Sequence, residues 1–314
     1  MKFSVKAFVL GVIISAVFVS VKNVYSCDLS AQIDKGIYRA MKKGSIENLY
    51  IGSSMFRKGI TLYDDPSDSF LIYYNGLDPV AESLILEYMF SNGLKVKNLY
   101  VDLFPSTAAK VSWLYDKRMM FDAPLGLKLS VLCQALRNPE AEVIPAVWEL
   151  LIHSGNDMFI LWPLYSRLAG GRYYRGGYSR DTYNRGRTRG ELAAMPGQQS
   201  ESASLNPEQK RAITRIAELC GEYGVNVVFL ETPKYSAMFE GGKYREMMGE
   251  YLGLLEGSGA EAVVSEAAAG GNVRLGVSVY DFPNDDPALY EDYIHLSTEG
   301  SRKFMEVLRG MEGE

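Results

Sequence analysis

Apolar residues along this chain fall into two alternating patterns. The first is a short run, apolar at successive positions, that stops at glycine or a polar turn. Residues 48–52, 70–74, 98–103, 225–230 and 277–282 are such runs. Their length and their β-branched and aromatic content predict strands buried on both faces. The second pattern is helical spacing. It covers 28–47 (Ile33, Ile37 and Met41), 79–91 (Val80, Leu84, Ile85, Tyr88 and Met89), 125–136, 140–153 and about 298–309 (Phe304, Val307 and Leu308). Strands that alternate with helices, and that lack an alternating polar face, predict an α/β fold. Its parallel sheet is covered on both sides, a three-layer α/β/α arrangement. Ligands of such sheets bind at the carboxyl ends of the strands.

Two segments depart from that rhythm. At the start, Lys2 and Lys6 flank an apolar run from Ala7 to Val21. A basic region before an apolar run is the pattern of an export signal, so 1–26 is expected to be a signal peptide or a membrane anchor. The run is short beside the roughly 20 residues a spanning helix needs. Cleavage after Ser26, retention as an N-terminal hydrophobic helix and lipidation at Cys27 all stay open. Any of them places the rest of the chain outside the cytoplasm, periplasmic or extracytoplasmic. The second segment is 170–190, with six arginines, four tyrosines and almost no aliphatic residues. It cannot bury enough surface to form a core element. Residues 27–314 therefore read as one α/β domain carrying a helical and flexible insertion at about 107–205. Arg172, Tyr173, Tyr174 and Arg175 are candidate substrate contacts there, because tyrosine stacks on sugar rings and arginine grips anions. Regular structure is expected to resume at Asn206-Pro207, a capping residue followed by a first-turn proline.

Composition narrows the chemistry. The chain has 314 residues and a net charge of −5, which disfavours nucleic acid as a partner. It holds two histidines, His153 and His295, and three cysteines without metal-ligand spacing. No metal and no cofactor is expected. Cys133 and Cys220 could pair in an oxidising compartment. No Gly-x-Gly-x-x-Gly and no P-loop follows a predicted strand.

Candidate catalytic residues lie near both ends. Ser54 follows the first strand and a glycine in Tyr50-Ile51-Gly52-Ser53-Ser54-Met55. A serine at a strand-to-helix turn presents its hydroxyl at the sheet edge, beside N–H groups that can stabilise an oxyanion. Asp292-Tyr293-Ile294-His295 sets a carboxylate three residues before an imidazole, just ahead of the last helix. Within one turn the carboxylate can hold Nδ1 while Nε2 takes a serine proton.

Taken together, these residues resemble the SGNH (GDSL-like) hydrolase superfamily, and within it the exported branch of the teichoic-acid D-alanylation protein DltD and the alginate O-acetylation proteins. Gly52-Ser53-Ser54 is similar to the first block, with Ser53 where aspartate is usual. Asn75-Gly76 resembles the second block, and Asp292 to Gly300 resembles the final Asp-x-x-His-Leu-x-x-x-Gly block. The likeness covers roughly 46–106 and 222–309. It implies a flavodoxin-like SGNH fold, a triad of Ser54, Asp292 and His295, and an oxyanion hole from Ser54, Asn75 and Gly76. It also implies a membrane-bound O-acyltransferase as partner. One block is missing: a Gly-x-Asn-Asp is expected after the third strand, where this chain reads Asp102-Leu103-Phe104-Pro105-Ser106. Ser106 or Thr107 could supply the absent donor, whereas Gly155-Asn156-Asp157 reads as a helix-end turn.

Two functions follow as expectations. One is an exported serine esterase or O-acyltransferase acting on a cell-envelope glycan or lipid-linked polymer. The other, motivated by the missing block, is a non-catalytic SGNH-like scaffold or glycan-binding protein of envelope assembly.

Overall fold

The computed structural model describes residues 9–17, 36–62, 68–73, 77–103, 125–137, 184–195, 205–240, 242–270 and 276–312. The chain divides into two units, one of residues 1–42 and 112–174, the other of 43–111 and 175–314. The described part of the first unit is helical, over 9–17, most of Gly36–Lys43, and Leu125–Arg137. Leu127, Lys128 and Val131 are buried on the last of these. The lead-in helix expected over 28–47 ends at Lys43. Gly44 follows with a left-handed φ of 72°, a conformation that terminates helices.

The second unit carries one sheet. Its strands are β1 (Ser45–Gly52), β2 (Ser69–Tyr73), β3 (Lys95–Asp102), β4 (Asn226–Leu230), β5 (Glu261–Ser265) and β6 (Val277–Tyr280). All neighbours are parallel, in the order β2-β1-β3-β4-β5-β6. Five strands coincide with the predicted runs. β5 was not anticipated, because Glu-Ala-Val-Val-Ser is short and its alanine adds little strand signal.

Helices α1 (Ser54–Gly59), α2 (Pro79–Ser91), α3 (Arg189–Ala193), α4 (Pro207–Tyr223), α5 (Lys243–Leu255), α6 (Glu266–Ala269) and α7 (Thr298–Glu312) complete this unit. α2, α4 and α5 pack on one another in succession, while α1 packs on α7. Aromatic contacts show that the two groups use opposite faces of the sheet. Phe229 of β4 meets Tyr251 of α5 with ring centroids 6.0 Å apart. Tyr50 of β1 meets Phe56 of α1 at 6.4 Å, and Tyr280 of β6 meets Phe304 of α7 at 5.5 Å. Each such ring, fully buried, contributes about 1.5–3 kcal/mol. The unit is thus a three-layer α/β arrangement.

Local signals explain the helix starts. Asp78 caps α2 through the Ala81 N–H, with Pro79 behind it. Asn206 and Gln209 form a reciprocal capping box at α4, so structure resumes where the Asn-Pro pair predicts. β1 lies between β2 and β3 although it precedes both, so the chain leaves β1 in opposite directions. The carboxyl ends of β1 and β3 therefore flank the crevice of a topological switch point.

Among the described residues no helix is long and apolar enough to cross a membrane. The helix over 9–17 leaves Val9, Leu10, Val12, Ile13, Ile14 and Val17 about half exposed. The described residues thus give no support to an N-terminal anchor helix. Cys133 and Cys220 are free thiols, and the pairing considered for them is not made.

Candidate active site

The turn after β1 is set by crowding. A Cβ at Gly52 would sit 2.5 Å from the Asp102 Cβ and 2.8 Å from the Phe56 ring, so only glycine fits. Ser53, next in line, is the N-cap of α1, its hydroxyl accepting from the Met55 N–H at 3.2 Å. This cap places Ser54 in the first helical turn. The Ser54 N–H belongs to the first turn of α1, whose N–H groups have no acceptor within the helix, and such a helix start favours a negative oxygen.

The partner groups come from one tight loop. Tyr290 and Leu296 form an isolated antiparallel bridge, and the Glu291 N–H donates to the His295 carbonyl at 2.9 Å. Inside this loop Asp292 Oδ1 accepts from the N–H groups of Ile294 (2.9 Å) and His295 (2.8 Å). Its Oδ2 lies 2.8 Å from His295 Nδ1. On the far side of the ring, Nε2 lies 2.8 Å from Ser54 Oγ. Partial burial pushes the Asp292 carboxyl up, but the ring and the two N–H groups outweigh it and hold it below the ordinary aspartate value. Ser54, His295 and Asp292, drawn from opposite ends of the sequence, thus form one hydrogen-bonded row at the carboxyl edge of the sheet.

Several contacts fix the loop against its surroundings. The Tyr235 N–H donates to the Tyr293 carbonyl (3.0 Å), and the Ser297 hydroxyl donates to the Ala288 carbonyl (3.0 Å). Lys58, one turn along from Ser54, pairs with Glu291 at 2.9 Å with both side chains about one-fifth exposed. Residues 184–195, within the stretch expected as an insertion, run across the loop as a strap. The Arg187 N–H donates to the Tyr290 carbonyl (2.9 Å), and Arg187 Nε donates to the Glu291 carbonyl (3.1 Å). Tyr293 donates its hydroxyl to the Leu192 carbonyl at 2.7 Å. A Cβ at Gly186 would overlap the Ala288 carbonyl oxygen, so the strap needs glycine to lie this close.

Behind the row sits a buried set of charges. Asp102 ends β3, and its Oδ2 accepts from the Ser53 N–H (3.0 Å) and the Ser53 hydroxyl (2.5 Å). Burial raises the Asp102 carboxyl, and the Lys234 ammonium and the Ser53 bonds pull it partly back. Lys234, after β4, is wholly buried and donates to the Thr232 carbonyl (2.5 Å) and hydroxyl (2.7 Å). Burial drives its amine down, opposed by Glu231, Asp102 and Asp292. Neither Asp102 nor Lys234 was singled out from the sequence. A carboxylate closing an apolar strand was a visible sign for the first.

Asn75, Gly76, Ser106, Thr107, Gly155, Asn156, Asp157 and His153 lie outside the described residues. So do Arg172, Tyr173, Tyr174, Arg175 and Cys27. Among the described residues no group of three or more His, Cys, Asp or Glu is arranged to hold a metal. An open groove of about 600 Å³ is lined by Asn48, Asn98, Asn226 and Tyr100. Asn226 begins β4 and Asn48 lies four positions before the carboxyl end of β1, so the groove is toward the amino ends of the strands, apart from the row. No protein-family profile and no curated protein matches the chain.

Proposed function

We propose that the chain is an exported SGNH-type serine esterase or O-acyltransferase that acts on a cell-envelope glycan or lipid-linked polymer. The observation that carries the reading is the row Ser54–His295–Asp292, with 2.8 Å at both hydrogen bonds. In the first half-reaction Ser54 Oγ attacks the acyl carbonyl and His295 Nε2 takes the hydroxyl proton. Asp292, bonded to Nδ1–H, fixes the tautomer and stabilises the imidazolium. The tetrahedral oxyanion receives the Ser54 N–H, and the resemblance adds Asn75 and Gly76. Collapse breaks the bond to the leaving alcohol, which takes the proton from Nε2 and leaves acyl-Ser54. In the second half a sugar hydroxyl or water loses its proton to Nε2 and attacks the acyl carbon, and the bond to Ser54 Oγ breaks as that oxygen takes the proton back from Nε2.

The export signal and the resemblance motivate the envelope substrate and the membrane-bound O-acyltransferase partner. The test is covalent labelling by a fluorophosphonate, with intact mass read after incubation with acyl esters. Wild type is expected to gain the mass of one adduct, and Ser54→Ala none. Equal mass in both would remove the enzyme reading. A second reading, the non-catalytic scaffold, draws on the end of β3. Asp102 faces Ser53 there, and no asparagine donor stands in its place. On that reading Ser54→Ala and His295→Ala leave cellular function intact.

A further inference from the structure

We infer that Asp102 is a positioning residue for the nucleophile turn. The inference rests on the serine-enzyme reading, but it is carried by contacts that reading does not use. Among the described residues Asp102 accepts hydrogen bonds from Ser53, and from neither Ser54 nor His295. It holds the residue before the nucleophile by both of that residue's donors, N–H and O–H, at one carboxyl oxygen. The Ser53 hydroxyl, so oriented, turns its lone pair to the Met55 N–H and caps α1. One carboxylate thereby fixes the turn's peptide planes and its side-chain cap together. The Ser53 N–H is consumed, and the Ser54 N–H is left for an oxyanion.

The site is built to keep Asp102 in this pose. It is 3% exposed, and Gly52 packs against its Cβ. Its other oxygen, Oδ1, and Glu82 Oε2 are both buried without a hydrogen-bond donor among the described residues. Glu82, in the first turn of α2, is 1% exposed. Burial first, then the charges of Asp102 and Asp78, push its carboxyl well up. The buried Lys234 ammonium supplies the compensating positive charge. An asparagine at 102 would keep an acceptor for Ser53 and remove the buried charge.

The experiment compares wild type, Asp102→Ala and Asp102→Asn with p-nitrophenyl acetate as probe. Active sites are counted by fluorophosphonate titration, and amide hydrogen exchange is read at Ser53. Misplacing a reacting group by about 1 Å costs on the order of 10²-fold. Asp102→Ala is therefore expected to lower kcat 10- to 100-fold (about 10²-fold at most) with KM little changed and with faster exchange at Ser53. Asp102→Asn is expected to restore most of kcat and the slow exchange. Wild-type kcat per active site in a folded Asp102→Ala, with only a lower Tm, would overturn the inference and leave a structural role. If Asp102→Ala does not fold, Ser53→Ala takes its place, and unchanged kcat there overturns it. If wild type itself has no esterase turnover, the proposed function fails. Exchange then still decides: equal rates at Ser53 in wild type and Asp102→Ala would sink the positioning role by itself.

Discussion

Ser54 and His295 stand 241 positions apart, whereas Asp292 and His295 share one short loop. The acid–base pair is therefore local chemistry, and only the meeting with Ser54 depends on the fold. That is why the sequence alone revealed Asp292 and His295 by their spacing, and Ser54 by its glycine and strand. Asp102 escaped because its partner Ser53 comes from another strand's end, 49 positions away, and Lys234 because nothing along the chain marks its burial. The low value of Asp292 makes a signed prediction. Its carboxyl is held below the unfolded value of about 3.9. It therefore adds stability above about pH 4, and that stability is lost as pH falls through the folded value. Asp292→Asn should melt lower than wild type at pH 7, and the gap between the two should narrow as pH falls below about 4. The same variant should lower kcat by about 10³- to 10⁴-fold, since an amide cannot hold the required tautomer. Parallel melting curves down to pH 3 would show that the ring and N–H bonds do not favour the charged form.

Among the elements, the strap of 184–195 was the least legible. Its composition, rich in arginine and glycine, predicts a mobile loop, and composition carries no trace of backbone carbonyls waiting elsewhere. Its anchoring uses main-chain bonds to Pro287 and Tyr290, the Leu192 side chain in the core, and a reciprocal cap between Thr188 and Glu191. β5 was missed for a related reason, since four flanking strands and helices, rather than its own residues, make it a strand. By contrast α2 and α4 were legible to the residue at their starts, because proline and a capping side chain announce them. The close approach at Gly186 turns the strap into a prediction. Gly186→Ala should lift the strap off Ala288, lower kcat by roughly tenfold through a looser loop, and speed amide exchange over 288–297. Measured exchange identical to wild type in that segment would show that the strap does not brace the loop.

At the scale of the whole unit, the parallel sheet and its two helical layers were foreseen from apolar runs. The burial of carboxyls inside it was not. Asp78, at the start of α2, is raised to about 6, chiefly by burial and against the N–H bonds of Ala81 and Val80. A carboxyl raised in the fold costs nothing while it is protonated in both states. The cost then grows as pH climbs from about 4 through the folded value, and is complete above it. Asp78→Asn keeps the cap on α2 and removes the charge. It should therefore gain about 2–3 kcal/mol at pH 8 and almost nothing at pH 4. Urea titrations at the two pH values would check this, and an equal gain at both would remove the ionisation argument.

The five-residue loop that pairs acid with imidazole carries a last consequence. Because the bonds that join acid to imidazole are internal, the loop can tilt away as a unit once its outer contacts to Lys58, Arg187 and Tyr235 give, without parting its own members. Warming short of the melting transition should then silence the protein by separating base from hydroxyl, while the imidazole proton bonded to Asp292 remains visible in a downfield NMR spectrum. Inactivation would precede denaturation, and cooling would reverse it.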